Sequence, residues 1–489
     1  MKPRADERDG DHDPEDEVWR RRLDPHDGEQ DNAESDRRVV PPERQSERSE
    51  QSDPEGEDER ERQRRAAEGH AGGEEDKEDD TPRRDPRERV GELDSAANAD
   101  GVGDLQGAAS ASRPRRPRIL LLITLAEVGG AQTYVASLLP ALVERFDVVV
   151  AAHGTGPLRE AAAAAGVRFE PLAHVRRPVG AHDVAGVVEL VRLLRRHRPD
   201  ILHASSSKAG VLGRLAGALA GVPIRIFTVH GWAFAAYSGA TGRVYRVADR
   251  LVRPLTTVTV CVSERERKLG LAARTCDPAR TVVIPNAVDV AGAPRVRAGS
   301  RERPLIVAVG RLKAPKDFVT LVRALGRLEP GSFDAVIVGE GPDRERLEDE
   351  IGRLGLAERV TLAGERSDVP ELLAAADVFA LASSSEGMPV SVLEAMAAGL
   401  PVVASRVGGL AEQVVEGETG VLVEPGDPED LARALDRLVA DIQLRRRLGA
   451  AGRARAEQAF DLEPFRRAHV ELYSRELARR RLPAPAPIP

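Results

Sequence analysis

The stretch DVFALASSSEGMPVSVLEAMAAG, residues 377–399, carries the pattern that decides the fold class. Residues 377–382 form a short apolar run of strand length, and a turn-rich SSSEG sequence follows it. After Pro389 the composition is helical, and Gly399 has the position of a helix C-cap. The stretch therefore predicts a strand, a loop and a helix in succession.

Two carboxylates lie eight residues apart in this stretch, with Glu386 in the loop and Glu394 about one turn inside the helix. The unpaired amides and the positive dipole end of a helix N-terminus favour an anion such as a phosphate. Helical side chains lean toward the N-terminus, so Glu394 can approach the same region, where a carboxylate suits a ribose diol. Taken alone, the spacing is more simply explained by solvated or capping acids, and an acid–base pair or metal ligands stay open.

The chain has 489 residues, and residues 1–113 are dominated by Asp, Glu, Arg, Gly and Pro, with Trp19 as their only aromatic residue. Such a segment buries too little apolar surface to offset its ordering entropy, so we predict a disordered mixed-charge tail. The net charge of −8 gives no nucleic-acid signal. Cys261 and Cys276 lack metal-ligand spacing and a disulfide framework. Without a signal peptide or an apolar run of about 18 residues, the chain is predicted to be cytoplasmic and non-spanning.

Beyond the tail, strands alternate with helices in two consecutive series. The first begins with the apolar run at residues 119–124 and the second with the run at residues 305–309. This alternation predicts an α/β fold with two doubly wound, Rossmann-like domains and a ligand cleft outside the carboxyl ends of the strands. The predicted boundaries are a tail at 1–113, a first domain at 114–298, a second domain at 299–462, and a C-terminal helix with a frayed tail at 463–489.

Two cations follow the first predicted strand of the second domain, in the sequence GRLKAPK at residues 310–316. Gly310 permits a tight turn, and Arg311 with Lys316 would hold a diphosphate and stabilise charge as it departs. An exposed basic loop explains the motif equally well when it is judged alone. Its position at the same sheet end as Glu386 favours a ligand site. No D-x-D pair follows a strand, so a metal-bound diphosphate is not indicated.

Three features at strand ends of the first domain would face the cleft. Gly129-Gly130 is half of a dinucleotide fingerprint, a weak signal that suits a loop approaching a phosphate. His230 ends the predicted strand at 224–229, where a structural and a functional histidine are about equally expected. Lys208 would meet an anionic acceptor, although capping of the following helix by serines is the simpler account.

Basic amphipathic helices are predicted at residues 187–198 and 242–253 of the first domain. Arginines beside apolar side chains suit contact with an anionic membrane surface. Solvated outer faces of packed helices explain the same pattern equally well.

Several motifs in order resemble the donor domain of the family 4 glycosyltransferases, which have the two-domain GT-B fold: GRLKAPK, VGEGP, EGMPVSVLEA and PVVASRVGGLAE. The first half also matches this family in its GGAQ loop, and HASSSKAGVLGRLAG and TVHGWAF are similar to the bacterial capsular and exopolysaccharide branch. The resemblance covers residues 118–481. It implies an acceptor domain at 114–298 and a nucleotide-sugar donor domain at 299–462.

The family pattern implies that Arg311 and Lys316 bind the donor diphosphate, Glu394 the ribose diol and Glu386 the donor sugar. The residues implied to contact the donor nucleotide and sugar are Gly130, Gly310, Arg311, Lys316, Gly387, Met388, Pro389 and Glu394. Those implied to act in catalysis are Glu386, His230, Arg311 and Lys316. The family is retaining and metal-independent, with front-face departure of the nucleoside diphosphate. An aromatic residue is frequent where this chain has Met388, which leaves the sugar preference open.

The resemblance thus predicts a retaining transferase that moves a hexose or N-acetylhexosamine from a nucleoside-diphosphate sugar, with UDP expected, to a hydroxyl of a glycan or lipid-linked acceptor in cell-surface polysaccharide synthesis. No cofactor or metal is expected. Expected partners are the nucleotide sugar, the acceptor and the anionic inner face of the plasma membrane, and nucleic acid is not one. The alternatives are a GT-B sugar-nucleotide epimerase, which consumes donor without acceptor, and a non-catalytic interaction protein using the charged tail.

Overall fold

The computed structural model describes residues 115–176, 179–237, 239–296 and 301–485. The tail predicted at residues 1–113 and the last part of the predicted frayed end, residues 486–489, lie outside these ranges. The described residues belong to one compact unit. Two parallel sheets form its framework, which confirms the predicted α/β class with two Rossmann-like domains.

The first domain contains a seven-stranded sheet in the order β3-β2-β1-β4-β5-β6-β7. Its strands are β1 (Arg118–Leu125), β2 (Asp147–His153), β3 (Arg168–Pro171), β4 (Ile201–Ser205), β5 (Ile224–Val229), β6 (Val258–Cys261) and β7 (Thr281–Val283). Its helices are α1 (Gly130–Val143), α2 (Pro157–Ala164), α3 (His182–His197), α4 (Ser207–Leu219), α5 (Ala233–Ala236), α6 (Gly239–Val252) and α7 (Glu264–Ala272).

The apolar run of β1 is buried on both faces, as expected for a central parallel strand. Successive side chains of a strand point to opposite faces, so β1 contributes to two separate hydrophobic clusters. Ile119 and Leu121 pack in the cluster that contains residues of α1, whereas Leu120 packs with α3 and α4. This alternation places α3 and α4 on the opposite side of the sheet from α1.

The second domain contains a six-stranded sheet in the order β10-β9-β8-β11-β12-β13. Its strands are β8 (Leu305–Val309), β9 (Asp334–Val338), β10 (Val360–Gly364), β11 (Val378–Leu381), β12 (Val402–Ser405) and β13 (Gly420–Val423). Its helices are α8 (Phe318–Leu325), α9 (Arg344–Arg353), α10 (Val369–Ala374), α11 (Val390–Ala398), α12 (Leu410–Gln413), α13 (Pro428–Ala440) and α14 (Ile442–Ala459).

The last helix, α15 (Leu462–Arg479), packs on the first domain although it follows the second in sequence. Phe465, Tyr473 and Leu477 are buried in the same hydrophobic cluster as α1. Arg466 adds a hydrogen bond from its Nε to the carbonyl oxygen of Ser137, at 2.9 Å. The segment predicted as a separate C-terminal helix from residue 463 is therefore part of the first domain's core.

The strand order reverses between β1 and β4 in the first sheet and between β8 and β11 in the second. Ligands of open α/β sheets bind outside the carboxyl ends of the strands at such a switch point. Gly310 follows β8 and the Glu386 loop follows β11, and these two strands are hydrogen-bonded neighbours. Both predicted donor-binding motifs therefore lie at the switch point of the second sheet. Among the described helices, none has the length and apolar character that a membrane span needs.

Candidate active site

The loop after β11 carries Glu386, whose carboxylate is held by two side chains of its own domain. Lys316 Nζ and Ser383 Oγ each donate a hydrogen bond to Glu386 Oε1, both at 2.7 Å. Only 19% of the Lys316 side chain and 12% of the Glu386 side chain are exposed. A charge-assisted hydrogen bond in a partly buried position is stronger than a neutral one, so the carboxylate is fixed.

The second predicted cation, Arg311, contacts the first domain. Its Nη2 donates to the carbonyl oxygen of Val128 at 2.6 Å and lies 3.8 Å from Glu127 Oε2. Gly310 leaves space for the Lys316 side chain, because a Cβ at this position would lie 3.0 Å from Lys316 Cε. Arg311 and Lys316 thus share one strand end, but Arg311 is bonded across the cleft and Lys316 within its own domain.

Helix α11 begins directly after the Glu386 loop with no side-chain cap. Its N-cap residue is Pro389, which makes no capping hydrogen bond to the first-turn amides. Glu394 lies one turn further on, and its side-chain carboxylate has no hydrogen bond or ion pair with any described residue. Burial raises the pKa of Glu394, because desolvation disfavours the charged form. An uncapped helix N-terminus beside an unpaired carboxylate suits a phosphate and a diol.

The glycine loop of the first domain lies against this helix. A Cβ on Gly130 would lie 3.4 Å from Val390 Cγ2, and a Cβ on Gly129 would lie 3.2 Å from Arg311 Nη2. Gly130 is also the first residue of α1. The structure therefore brings the predicted glycine loop next to the predicted cation and helix of the donor domain.

Gly387 packs directly on the backbone of the first domain. A Cβ at Gly387 would lie 2.1 Å from the carbonyl oxygen of His230 and 3.1 Å from the amide nitrogen of Gly231. The distance to the carbonyl oxygen is far shorter than van der Waals contact and involves backbone, so a side chain at this position requires the two loops to move apart. The absence of a side chain at Gly387 is what allows the Glu386 loop to meet His230.

His230 is neutral in this site. Burial, with a further contribution from His469, lowers the pKa of His230 to about 3. Its Nε2 is buried without a hydrogen-bond partner in the described part of the chain. The ring packs edge-on against Tyr134, with centroids 4.7 Å apart. The Tyr134 hydroxyl is in turn held by two hydrogen bonds, one with His469 Nε2 at 2.5 Å and one with Thr228 Oγ1 at 3.0 Å.

His203 and Lys208, two further polar residues of the first domain, are engaged in buried contacts within that domain. His203 is buried in the first domain, where its ring nitrogens bond Tyr473 and Thr228, each at 2.6 Å. For Lys208 the sequence left open an acceptor contact or a role for serine capping. The structure instead buries Lys208 in an ion pair with Asp183 at 2.6 Å, and the N-cap Ser206 makes no side-chain cap.

Two amides that the sequence did not single out hold the backbone of the Glu386 loop. Asn286 Nδ2 donates to the carbonyl oxygen of Met388 at 2.6 Å, and Gln413 Nε2 donates to that of Pro389 at 3.0 Å. The Met388 side chain is only 3% exposed and packs in the second domain's core. The Met388 side chain is therefore part of this core, and its carbonyl oxygen is the group that meets Asn286. Among the described residues no cluster of three or more ligand side chains is placed to hold a metal ion.

Family comparisons cover both domains. The model for Glycosyltransferase Family 4 matches residues 128–291, and the model for Glycosyl transferases group 1 matches residues 294–455. A UDP-Gal:alpha-D-GlcNAc-diphosphoundecaprenol alpha-1,3-galactosyltransferase of Escherichia coli is 32% identical over 315 residues, which are 61% of this chain and 81% of the relative. The lipopolysaccharide core biosynthesis glycosyltransferase LpsE of Rhizobium meliloti is 30% identical, over 70% of this chain and 95% of the relative.

The chain therefore belongs to the family 4 glycosyltransferases, as its motifs predicted. Solved structures of lower identity share its fold. Anabaena HepE in complex with UDP and glucose superposes with a TM-score of 0.65 at 24% identity, covering 73% of this chain and 100% of that one. Sucrose-phosphate synthase of Thermosynechococcus elongatus has the same TM-score at 22% identity, covering 74% of this chain and 100% of the other. This agreement confirms the predicted GT-B architecture.

The close packing at Gly387 yields a first prediction. We expect Gly387→Ala to destabilise the protein by about 1–3 kcal/mol, the usual cost of overpacking, and to lower glycosyl transfer by about 10²-fold through misplacement of Glu386. Thermal melting and a transfer assay measure the two effects.

Gly352→Ala is the matched control. Gly352 lies in α9, where an added Cβ would have no described atom within 4 Å, so this change should leave transfer intact and stabilise the helix by up to about 1 kcal/mol. Wild-type transfer by the Gly387→Ala protein would contradict the assigned contact.

Proposed function

We propose that this protein is a retaining, metal-independent glycosyltransferase that moves a hexose or N-acetylhexosamine from a UDP-sugar to a hydroxyl of a glycan or lipid-linked acceptor in cell-surface polysaccharide synthesis. One observation carries the proposal: Arg311, Lys316, Glu386 and the uncapped start of α11 converge at the switch point of the second sheet. These groups match a diphosphate and a sugar, and Gly130 and His230 of the first domain lie against them.

The comparisons support the substrate classes. The name of the Escherichia coli relative gives UDP-galactose as donor and a sugar on diphosphoundecaprenol as acceptor. Other relatives are named for lipopolysaccharide core and O-antigen synthesis. A UDP donor and a lipid-linked acceptor are therefore the first substrates to test on this chain.

The proposed reaction breaks the bond between the sugar anomeric carbon and the UDP oxygen and forms a bond from that carbon to the acceptor oxygen on the same face. The acceptor proton passes to the departing phosphate. Arg311 and Lys316 would stabilise the charge that develops on the diphosphate, and Glu386 would orient the sugar. Glu394 would bind the ribose diol through both carboxylate oxygens. Because Glu386 is ion-paired with Lys316, orientation is a better role for it than nucleophilic attack.

Measurements of UDP binding and of glycosyl transfer distinguish the proposed roles of Glu394 and Glu386. UDP at a hundred times its dissociation constant should stabilise the native protein by about 2.7 kcal/mol, seen as a raised melting temperature. Glu394→Ala should weaken UDP binding by about ten- to a hundredfold, since hydrogen bonds to a charged group contribute about 1.5–3 kcal/mol. Glu386→Ala should keep UDP binding and lower transfer by about 10²–10³-fold.

The control for these variants is Glu418→Ala, an exposed carboxylate of the same domain, which should leave binding and transfer unchanged. The assay follows loss of UDP-sugar with and without a lipid-diphosphate sugar acceptor. No melting shift with any nucleoside diphosphate would contradict the donor site. Donor loss at the same rate without acceptor would favour an epimerase.

Stereochemistry and metal dependence test the rest of the mechanism. The anomeric configuration of the product, measured by NMR, should equal that of the donor, and a chelator should leave the rate unchanged. An inverted product would exclude front-face transfer, and a rate restored only by added divalent cations would exclude metal independence.

We further propose that α3 and α6 of the first domain contact an anionic membrane surface, where a lipid-linked acceptor resides. Val184 on α3 is 72% exposed, and Val244 and Leu251 on α6 are 60% and 73% exposed. Exposed arginines flank them, including Arg243 and Arg250 on α6. Apolar side chains interleaved with arginines favour adsorption to anionic lipid.

Vesicle sedimentation tests this contact. The protein should sediment with vesicles of equal parts phosphatidylglycerol and phosphatidylcholine, and less with phosphatidylcholine alone. The double variant Arg243→Glu and Arg250→Glu should lower the bound fraction, since each basic residue near such a surface contributes about 1 kcal/mol. Arg467→Glu is the control, because α15 lies on the opposite face of the sheet from α3 and α4, and α6 is joined to α4 by the ion pair between Asp249 and Arg214. Wild-type protein that stays in the supernatant would contradict membrane contact.

A further inference from the structure

We infer that Glu412 is a positioning residue that fastens the acceptor domain to the donor loop and thereby places His230 beside Glu386. This inference rests on the proposed transfer reaction. Glu412 lies on the short helix α12 of the donor domain, in the VGGLAE segment, to which the proposed reaction assigns no role. Its carboxylate crosses to the first domain: Oε2 accepts from the amide of Glu264 at 2.9 Å, and Oε1 accepts from the amide of Arg265 at 2.8 Å.

These two amides are the first of helix α7, which needs partners for its unbonded N-terminal N–H groups. The N-cap Ser263 accepts from the next amide, that of Glu266. The N-terminus of α7 is therefore capped partly by its own chain segment and partly by the opposite domain. A carboxylate at this end also complements the helix dipole. The contact joins residues 148 positions apart in sequence.

Helix α7 in turn holds the segment that carries His230. The carboxylate of Glu266 accepts from the backbone amide of Trp232 at 3.0 Å, and the carbonyl oxygen of Glu266 accepts from Trp232 Nε1 at 2.8 Å. The Trp232 ring packs so closely on α7 that a Cβ on Gly270 would lie 2.5 Å from it. A displacement of α7 would therefore move Trp232 and, two residues earlier, His230.

The other end of the Glu412 segment touches the donor loop. The amide of Gly409 donates to the carbonyl oxygen of Gly387 at 2.9 Å. A Cβ at Gly409 would lie 3.0 Å from Ser263 Cβ, so the same turn also contacts the N-cap of α7. The backbone of Glu412 is itself fixed, since Arg455 Nη2 donates to its carbonyl oxygen at 2.7 Å.

The contacts form a closed circuit. Backbone hydrogen bonding joins Gly387 to Gly409, and the Glu412 carboxylate joins the same turn to α7. Helix α7 holds Trp232, and the backbone of the neighbouring His230 packs on Gly387. In this circuit the Glu412 carboxylate supplies the side-chain bonds from α12 to the first domain. The Glu412 carboxylate has no described hydrogen bond with Lys316, Glu386 or Glu394, so this carboxylate acts on the site through the position of α7.

The test combines kinetics with hydrogen exchange on the full chain. Glu412→Ala should lower kcat for transfer by about 10²-fold, the cost of a small misplacement of reacting groups, and leave the dissociation constant of UDP within about twofold. Glu412→Gln keeps one carbonyl acceptor and should fall between the wild type and the alanine variant. Glu418→Ala, an exposed neighbour, should match the wild type in both quantities.

Hydrogen exchange gives a readout that does not depend on activity. In Glu412→Ala, the peptide containing Glu264 and Arg265 and the peptide containing residues 230–232 should both exchange at least tenfold faster, with unchanged protection in α11. Unchanged exchange in both peptides, or a loss of UDP binding in parallel with kcat, would overturn the inference. Suppose instead that the wild type is inactive with every donor, while exchange still differs between the wild type and Glu412→Ala as expected. That result would overturn the proposed reaction but support the role of Glu412 in positioning α7 and the His230 segment.

Discussion

The geometry of the cleft depends on close backbone packing at two glycines. Gly387 meets the carbonyl oxygen of His230, and a Cβ at Gly408 would lie 1.5 Å from the carbonyl oxygen of Glu386. Gly408 has a φ of 54°, a conformation that glycine adopts with little steric cost. Because three loops touch through their backbones, Lys316 and Glu386 lie next to the His230 segment. Any side chain at these glycines separates the loops and lengthens the distances on which transfer would depend.

The ion pair between Lys316 and Glu386 leaves both side chains with further hydrogen-bonding groups for a ligand. Glu386 Oε1 accepts both described hydrogen bonds, from Lys316 and Ser383, which leaves Oε2 to accept from a sugar hydroxyl. An ammonium has three donors, so Lys316 retains donors for a phosphate. The pair also reduces the cost of keeping each charge in a partly buried position, where solvent screening is weaker. The same two residues therefore fit the two halves of a nucleotide sugar.

The sequence predicted the two sheets well because their strands are local signals. Apolar runs such as residues 305–309 match β8 from end to end, and the helix after Pro389 begins and ends where composition indicated. Helix α7 gave no such signal, since ERERKLGLA is mostly polar and is stabilised by a cap from the other domain. The docking of α15 was equally invisible, because contacts such as Tyr473 with His203 join residues 270 positions apart. The sequence indicated the site residues by their positions after predicted strands. It did not indicate which of them contact each other, because those contacts join residues that only the folded chain brings together.

The low pKa of His230 bears on which group accepts the proton from the acceptor hydroxyl. An imidazole with a pKa of about 3 is neutral at physiological pH, so it cannot donate a proton as an imidazolium, and it is a weak base. The departing phosphate is more basic than this imidazole, since a phosphate monoester has a second pKa near 6. In the proposed reaction the acceptor proton therefore goes to the leaving diphosphate, and the unpaired Nε2 of His230 serves to hydrogen-bond the sugar.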